Sequence, residues 1–322
     1  MKKLLSIKGL KSIFHILKFR IQLRLLKSVI RDTNAWLLFD QAGIAGFGVN
    51  LIRLYFPIYY DKKESRASFS APVEKQFSEI FDNADTGRFQ ADILVMLQEI
   101  IQLPVKETHS TTPYLDNYYF GIYDASVLGT MMMHFKPSKI VEIGSGMSTR
   151  YMKLFKTRLG LTTEICCIDP FPRTEIENVA DSIFRQPLEH INEREVFDLK
   201  SGDIIFMDGS HYTFQGNDTL TLFFKLLPSL PPGVIIHIHD IFLPYDYSDK
   251  VAQQLWSEQY LLAALLSGGF RGLRVLYPAY YLSKTAPVIK DTLAGINRSF
   301  ENTTFACGPD HTEGYSFWFK KI

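Results

Sequence analysis

"KIVEIGSGMSTRYM", from Lys139 to Met152, is the stretch on which the reading of this chain turns. A short apolar run carries an acid, Glu142, near its end and is followed by Gly144, Ser145 and Gly146. Ser148 and Thr149 then stand where a helix would begin, as candidate caps. Bare backbone lets a ligand approach closely, and a helix start presents free N–H groups to an anion. The pattern therefore suits a nucleotide cofactor, a phosphate or a tight turn.

Working outward, further short apolar runs follow at Ile165 to Ile168, Ile183 to Phe184, Ile204 to Met207, Val234 to Ile238 and Leu273 to Leu276. The terminal "YSFWFKKI" reads as one more strand. Stretches long enough for crossover helices, such as Thr149 to Leu159 and Gln215 to Leu227, lie between most of them. Runs that are continuously apolar, and do not alternate with polar residues, imply strands buried on both faces. The spacing thus predicts a doubly wound α/β domain over residues 111–322. A helix near Asp124 to Phe135 precedes the first strand. Residues 1–110 are expected to form a helical N-terminal extension, with helical spacing from Val73 to Leu103. Ligands of such sheets bind beyond the carboxyl ends of the strands.

Those ends carry polar residues. The second run finishes in Asp169, 25 positions after Gly144 (169 − 144), where an acid suits ribose hydroxyls. The third leads into Gln186 to Leu188, a candidate edge for an adenine. The fourth ends in "MDGSHY", giving Asp208, Gly209, Ser210 and His211; the fifth ends in "IHIHDIFLP", giving His237, His239 and Asp240. His237 lies deeper in its strand than His239 and reads as a core histidine. The other acids and histidines converge over one cleft.

The motifs E-x-G-S-G-x-S-T, D-G-S-H and H-D, in this order from Asp124 to Ile322, resemble those of a bacterial subgroup of class I S-adenosylmethionine-dependent methyltransferases. The resemblance implies a Rossmann-like seven-stranded sheet whose final strand is antiparallel. It implies that Glu142 and the Gly144–Gly146 loop face the methionine and ribose of the cofactor. It also implies that Asp169 holds the ribose hydroxyls and that Asp208 stands beside the reacting end. Two departures are Ser148, where the broader family has a third loop glycine, and Pro231-Pro232-Gly233 before the fifth strand.

The chemistry then follows from the cofactor, whose methyl is already activated; the protein aligns an acceptor and removes its proton. A hydroxyl acceptor needs a base or a metal. His211 and His239 are the expected bases, with Asp240 orienting an imidazole or replacing it. Alternatively Asp208 and Asp240 with a histidine would hold Mg²⁺ against a vicinal diol, although two carboxylates are a thin oxygen shell. The acceptor would be a small molecule or a glycan. A nicotinamide dehydrogenase is the rival enzyme, but it prefers G-x-G-x-x-G, and the sixth position here is Thr149. A non-catalytic cofactor-binding scaffold is the other rival.

Composition sets wider bounds. The 322 residues carry a formal net charge of +1, which gives no general argument for nucleic acid as a partner. Three cysteines, two of them adjacent (Cys166 and Cys167), fit free thiols in a reducing, cytoplasmic compartment. Residues 1–31 hold nine lysines or arginines and no acid, with Leu10, Ile13, Phe14, Leu17, Ile21 and Leu25 on one helical face. That segment reads either as a peripheral contact with anionic lipid at the inner membrane face or as a packing helix. Self-association is left open.

Overall fold

The computed structural model describes residues 69–252, 254–269, 272–300 and 312–322. The basic segment 1–31 and most of the expected N-terminal extension lie outside the described residues.

Two helices open the described chain, α1 (Ala71–Asp82) and α2 (Gly87–Ile100). Phe89, Ile93, Leu97 and Ile100 of α2 recur at helical spacing and are all buried, so one face of α2 enters the core. On α1 the buried pair is Phe77 and Phe81, each contributing about 1.5–3 kcal/mol relative to exposure. The next helix, α3 (Ile122–Phe135), is buried on all sides from Ile122 to Met132. It ends at Lys136, which adopts a left-handed conformation before Pro137 stops further helix.

The sheet has seven strands: β1 (Lys139–Ile143), β2 (Glu164–Ile168), β3 (Ser182–Phe184), β4 (Ile204–Met207), β5 (Ile235–Ile238), β6 (Leu273–Pro278) and β7 (Phe317–Lys321). Their spatial order is β3-β2-β1-β4-β5-β7-β6. The first five are parallel to one another, and β7 runs antiparallel between β5 and β6. The expected Rossmann-like architecture, with its antiparallel final strand, is the one observed.

Alternate residues of each strand feed two separate cores. Ile140, Ile165, Ile204, Phe206, Ile235 and Trp318 pack in one core with α2 and α3, together with α4 (Met147–Arg158). Val141, Ile168, Ile205, Met207, Ile236 and Phe317 pack in the other with α1. That second layer also holds α5, which runs through Asp218–Thr221, a π-helical segment Leu222–Leu226 and Leu227–Ser229. It is completed by α6 (Glu258–Ser267). Because both faces are covered, the strands read as unbroken apolar runs in the sequence.

Candidate active site

The loop after β1 is built around its glycines and one buried acid. Gly144 has φ +78°, and a Cβ there would fall 1.9 Å from the main-chain oxygen of Asp208. Its bareness is thus taken up by the neighbouring strand end. At Gly146 nothing lies within 4 Å of an added Cβ, so this glycine leaves open space instead. Ser145 donates its N–H (2.7 Å) and its hydroxyl (3.1 Å) to Asp169 Oδ2, while Phe171 N–H donates to Oδ1 at 2.8 Å. A carboxylate has about four acceptor positions, so Asp169 retains capacity for one more donor, or more if Ser145 Oγ turns away.

Glu142 does not face the cleft as the family resemblance implies. It is fully buried beneath the loop, where it accepts hydrogen bonds from Ser148 Oγ (2.5 Å), Thr149 Oγ1 (2.6 Å) and Cys167 Sγ (3.3 Å). Thr149 Oγ1 in turn accepts from Gly146 N–H at 2.9 Å. Glu142 therefore ties the start of α4 to β1 and β2. Burial pushes its carboxyl up from the ordinary 4.5 to about 7, against the lowering effect of these donors.

That shift has a stability consequence. Between pH 4.5 and about 7 the folded chain holds this proton more tightly than the unfolded one. The contribution of Glu142 is therefore full below the unfolded value and is lost as pH rises through the folded value, an effect of about 3 kcal/mol. Glu142→Gln cannot ionise and should show a flatter stability profile from about pH 5 to pH 8. Denaturant unfolding of both proteins across that range checks this, and parallel profiles would refute it.

The ends of β4 and β5 bring a second polar group together. His211 Nε2 lies 3.5 Å from Asp208 Oδ1 and 3.4 Å from Asp240 Oδ2, and its Nδ1 lies 3.1 Å from Glu258 Oε2. His211 and Asp240 both hold left-handed backbone, with φ 62° and 57°. Such conformations in non-glycine residues cost on the order of 1–3 kcal/mol each and cluster at functional sites. Burial works to strip the proton from His211, but hydrogen bonds with Asp208 and Glu258 and the charge of Asp240 prevail and hold its pKa well above the ordinary value. In His239, burial is likewise outweighed by Asp240, Asp208 and Asp124, and the pKa is raised. Burial would raise Asp208, yet the charges of His239 and His211, with the His211 hydrogen bond, keep it low.

His237 sits deeper. Its ring stacks 3.7 Å from Phe206 and lies 4.7 Å from Trp318, and Nε2 pairs with Ser316 Oγ at 3.2 Å. Burial, then the charge of His239, drives its pKa well below the ordinary value, which suits a neutral core histidine.

A cleft of about 420 Å³ opens between the loop after β1 and the end of β4. Gly144, Ser145, Gly146, Ser148, Asp169 and Asp208 line it, with Pro187 and Leu188 at the expected adenine edge. The expected His211, His239 and Asp240 do not line it; one ligand atom each of His211, Asp240 and Asp208 lie within 4.8 Å of one another, and His239 is buried. Sequence reading missed Trp256 and Glu258, because only the fold brings α6 against His211.

Residues 141–241, which span this loop and both strand ends, match a family described as a methyltransferase domain. Solved structures similar to the chain include a putative methyltransferase from Thermobifida fusca YX, at 12% identity and TM-score 0.39, covering 62% of this chain and 83% of that one. Another is a Podospora anserina methyltransferase bound to SAH, at 17% identity and TM-score 0.36, covering 67% and 95%. A third is the O-methyltransferase TomG of Streptomyces achromogenes in complex with SAM, at 12% identity and TM-score 0.37, covering 74% and 98%. No curated protein is a sequence match. Among the described residues, no helix is long and apolar enough to cross a membrane.

Proposed function

We propose that this chain transfers the methyl group of S-adenosylmethionine to a hydroxyl of a small molecule or sugar. The observation that carries this reading is a cleft lined by Asp169, the Gly144–Gly146 loop and Asp208, with the His211 imidazole 3.5 Å from Asp208 and 3.4 Å from Asp240. The open space at Gly146 and the spare acceptor capacity of Asp169 fit a nucleoside there. When bound, the cofactor supplies an already activated sulfonium methyl. Asp169 and Ser145 would hold its ribose, and the Gly146 backbone would let it approach. His211 or His239 would take the acceptor proton, with Asp208 and Asp240 stabilising the imidazolium that results. A non-catalytic scaffold would have no use for so much buried charge.

Isothermal titration with S-adenosylmethionine and with NAD tests the cofactor. Binding should be confined to the former, and Asp169→Ala should weaken it about tenfold or more, as for loss of a charged hydrogen-bond acceptor. Preference for NAD, or an Asp169→Ala variant that binds like wild type, would sink the assignment.

A second reading rests on Asp208, His211 and Asp240, which place one potential ligand atom each within 4.8 Å of one another. Two carboxylates and an imidazole would hold a divalent cation, with the acceptor's own oxygens filling the rest of its shell. Under that reading chelator abolishes turnover, and Asp208→Asn and Asp240→Asn are worse than a histidine change.

A further inference from the structure

The start of α6 grips His211 in a way that neither methyl-acceptor chemistry nor packing requires by itself. Ser257 N–H and Glu258 N–H both donate to the main-chain oxygen of His211, at 2.9 and 3.1 Å. The Trp256 ring lies 4.3 Å from the imidazole, and Ser257 Oγ accepts from Thr213 N–H at 3.0 Å. The backbone of His211 is thus fixed in its left-handed conformation by a segment more than forty positions away in the chain.

The side-chain contact is the unusual one. Glu258 is 1% exposed, its Oε2 meets His211 Nδ1 at 3.1 Å, and its Oε1 has no partner. A carboxyl buried with half its acceptor capacity unused is costly, and an apolar side chain would fill the same space without that cost. What a carboxylate alone supplies is an acceptor that can never donate. We infer that Glu258 is a positioning residue: its carboxylate, the nearest acceptor to the ring at 3.1 Å against 3.4 and 3.5 Å for Asp240 and Asp208 at Nε2, keeps the proton of the neutral imidazole on His211 Nδ1 and leaves Nε2 bare between those two. Nε2 is then the nitrogen turned toward Asp208, the member of this group that lines the cleft. Nothing else among the described residues is within hydrogen-bonding reach of Nδ1.

Glu258→Gln separates this role from packing, since the amide has the same shape but can turn an N–H toward Nδ1. Nitrogen-15 spectra of the full chain with labelled histidine, at a pH where the imidazole is neutral, read the tautomer; His211→Gln assigns the resonance. Wild type should show the Nδ1–H form, and Glu258→Gln should move the population to Nε2–H. This readout stands even if the methyl-transfer reading, on which the kinetic expectation rests, is wrong. In turnover, Glu258→Gln should lower kcat about 10²-fold, the scale of losing a correctly presented base, with KM for the cofactor within about twofold. Glu258→Asp, which keeps an acceptor-only carboxylate, should retain the wild-type tautomer and serves as the comparison if the glutamine variant does not fold. A predominant Nε2–H tautomer in wild type, a tautomer unchanged in Glu258→Gln, or one that moves equally in Glu258→Asp overturns the inference.

Discussion

His211→Ala should lower turnover by about 10²-fold or more while S-adenosylmethionine affinity stays close to that of wild type. The imidazole touches Asp208, Asp240 and Glu258 and lies behind the residues that line the cleft, so its loss removes proton handling without removing a cofactor contact. The pH dependence carries a sign. A base must arrive unprotonated, and the surrounding carboxylates hold the His211 pKa well above its ordinary value of 6.5. Turnover should therefore climb with pH through the neutral range and level off only where the folded imidazole loses its proton. His239→Ala should act in the same direction, because Asp240, Asp208 and Asp124 raise that group too. Wild-type turnover in both variants on an identified acceptor would show that the proton leaves elsewhere.

The largest effect on stability is expected from Gly144→Val. Its Cβ would sit 1.9 Å from a main-chain oxygen, which cannot swing aside as the end of a flexible side chain would. The φ of +78° adds strain for any L side chain. Together these should cost about 4 kcal/mol or more, the range reserved for core clashes and forced backbone, and should abolish cofactor binding as the end of β4 is displaced. Gly146→Ala is the matched control. Its φ of 173° lies outside the left-handed region, and the new methyl meets nothing within 4 Å. That variant should unfold like wild type and lose only cofactor affinity. Denaturant melts with binding isotherms distinguish the two, and a Gly144→Val protein of wild-type stability would mean the loop is not held as described.

Much of this was visible in the sequence, for reasons that can be named. Strands β1, β4 and β5 are buried on both faces, so they appear as mainly apolar runs with polar residues at or just past their carboxyl ends. His237 reads correctly as a core residue because it lies inside such a run. Glu142 was misread in orientation: an acid before a glycine loop is equally suited to face a ligand or to hold the loop from below. The hydroxyls of Ser148 and Thr149 on its two oxygens decide for the second. Trp256 and Glu258 carried no local signal at all, since a helix start rich in polar residues looks like an ordinary cap. The contact that gives them meaning spans the chain. The π-helical segment Leu222–Leu226 was equally hidden, because its apolar spacing is that of any buried helix.

The position of β7 sets an order on how this molecule is made. β5 ends at Ile238 and gains its second neighbour only at Phe317, 79 positions later (317 − 238). On a translating ribosome, the loop after β1, Asp169 and the parallel half of the sheet emerge before that partner exists. The segment entering β7 also supplies the carbonyl of Tyr315 that receives Ile241 N–H, and its own N–H groups bind Asp124 beneath His239. The loop after β1 and Asp169 are thus assembled from early chain, and the surroundings of Asp124 and Ile241 wait for late chain. Until then β5 presents a bare apolar edge, the kind of surface that holding chaperones bind and that pairs wrongly at high expression.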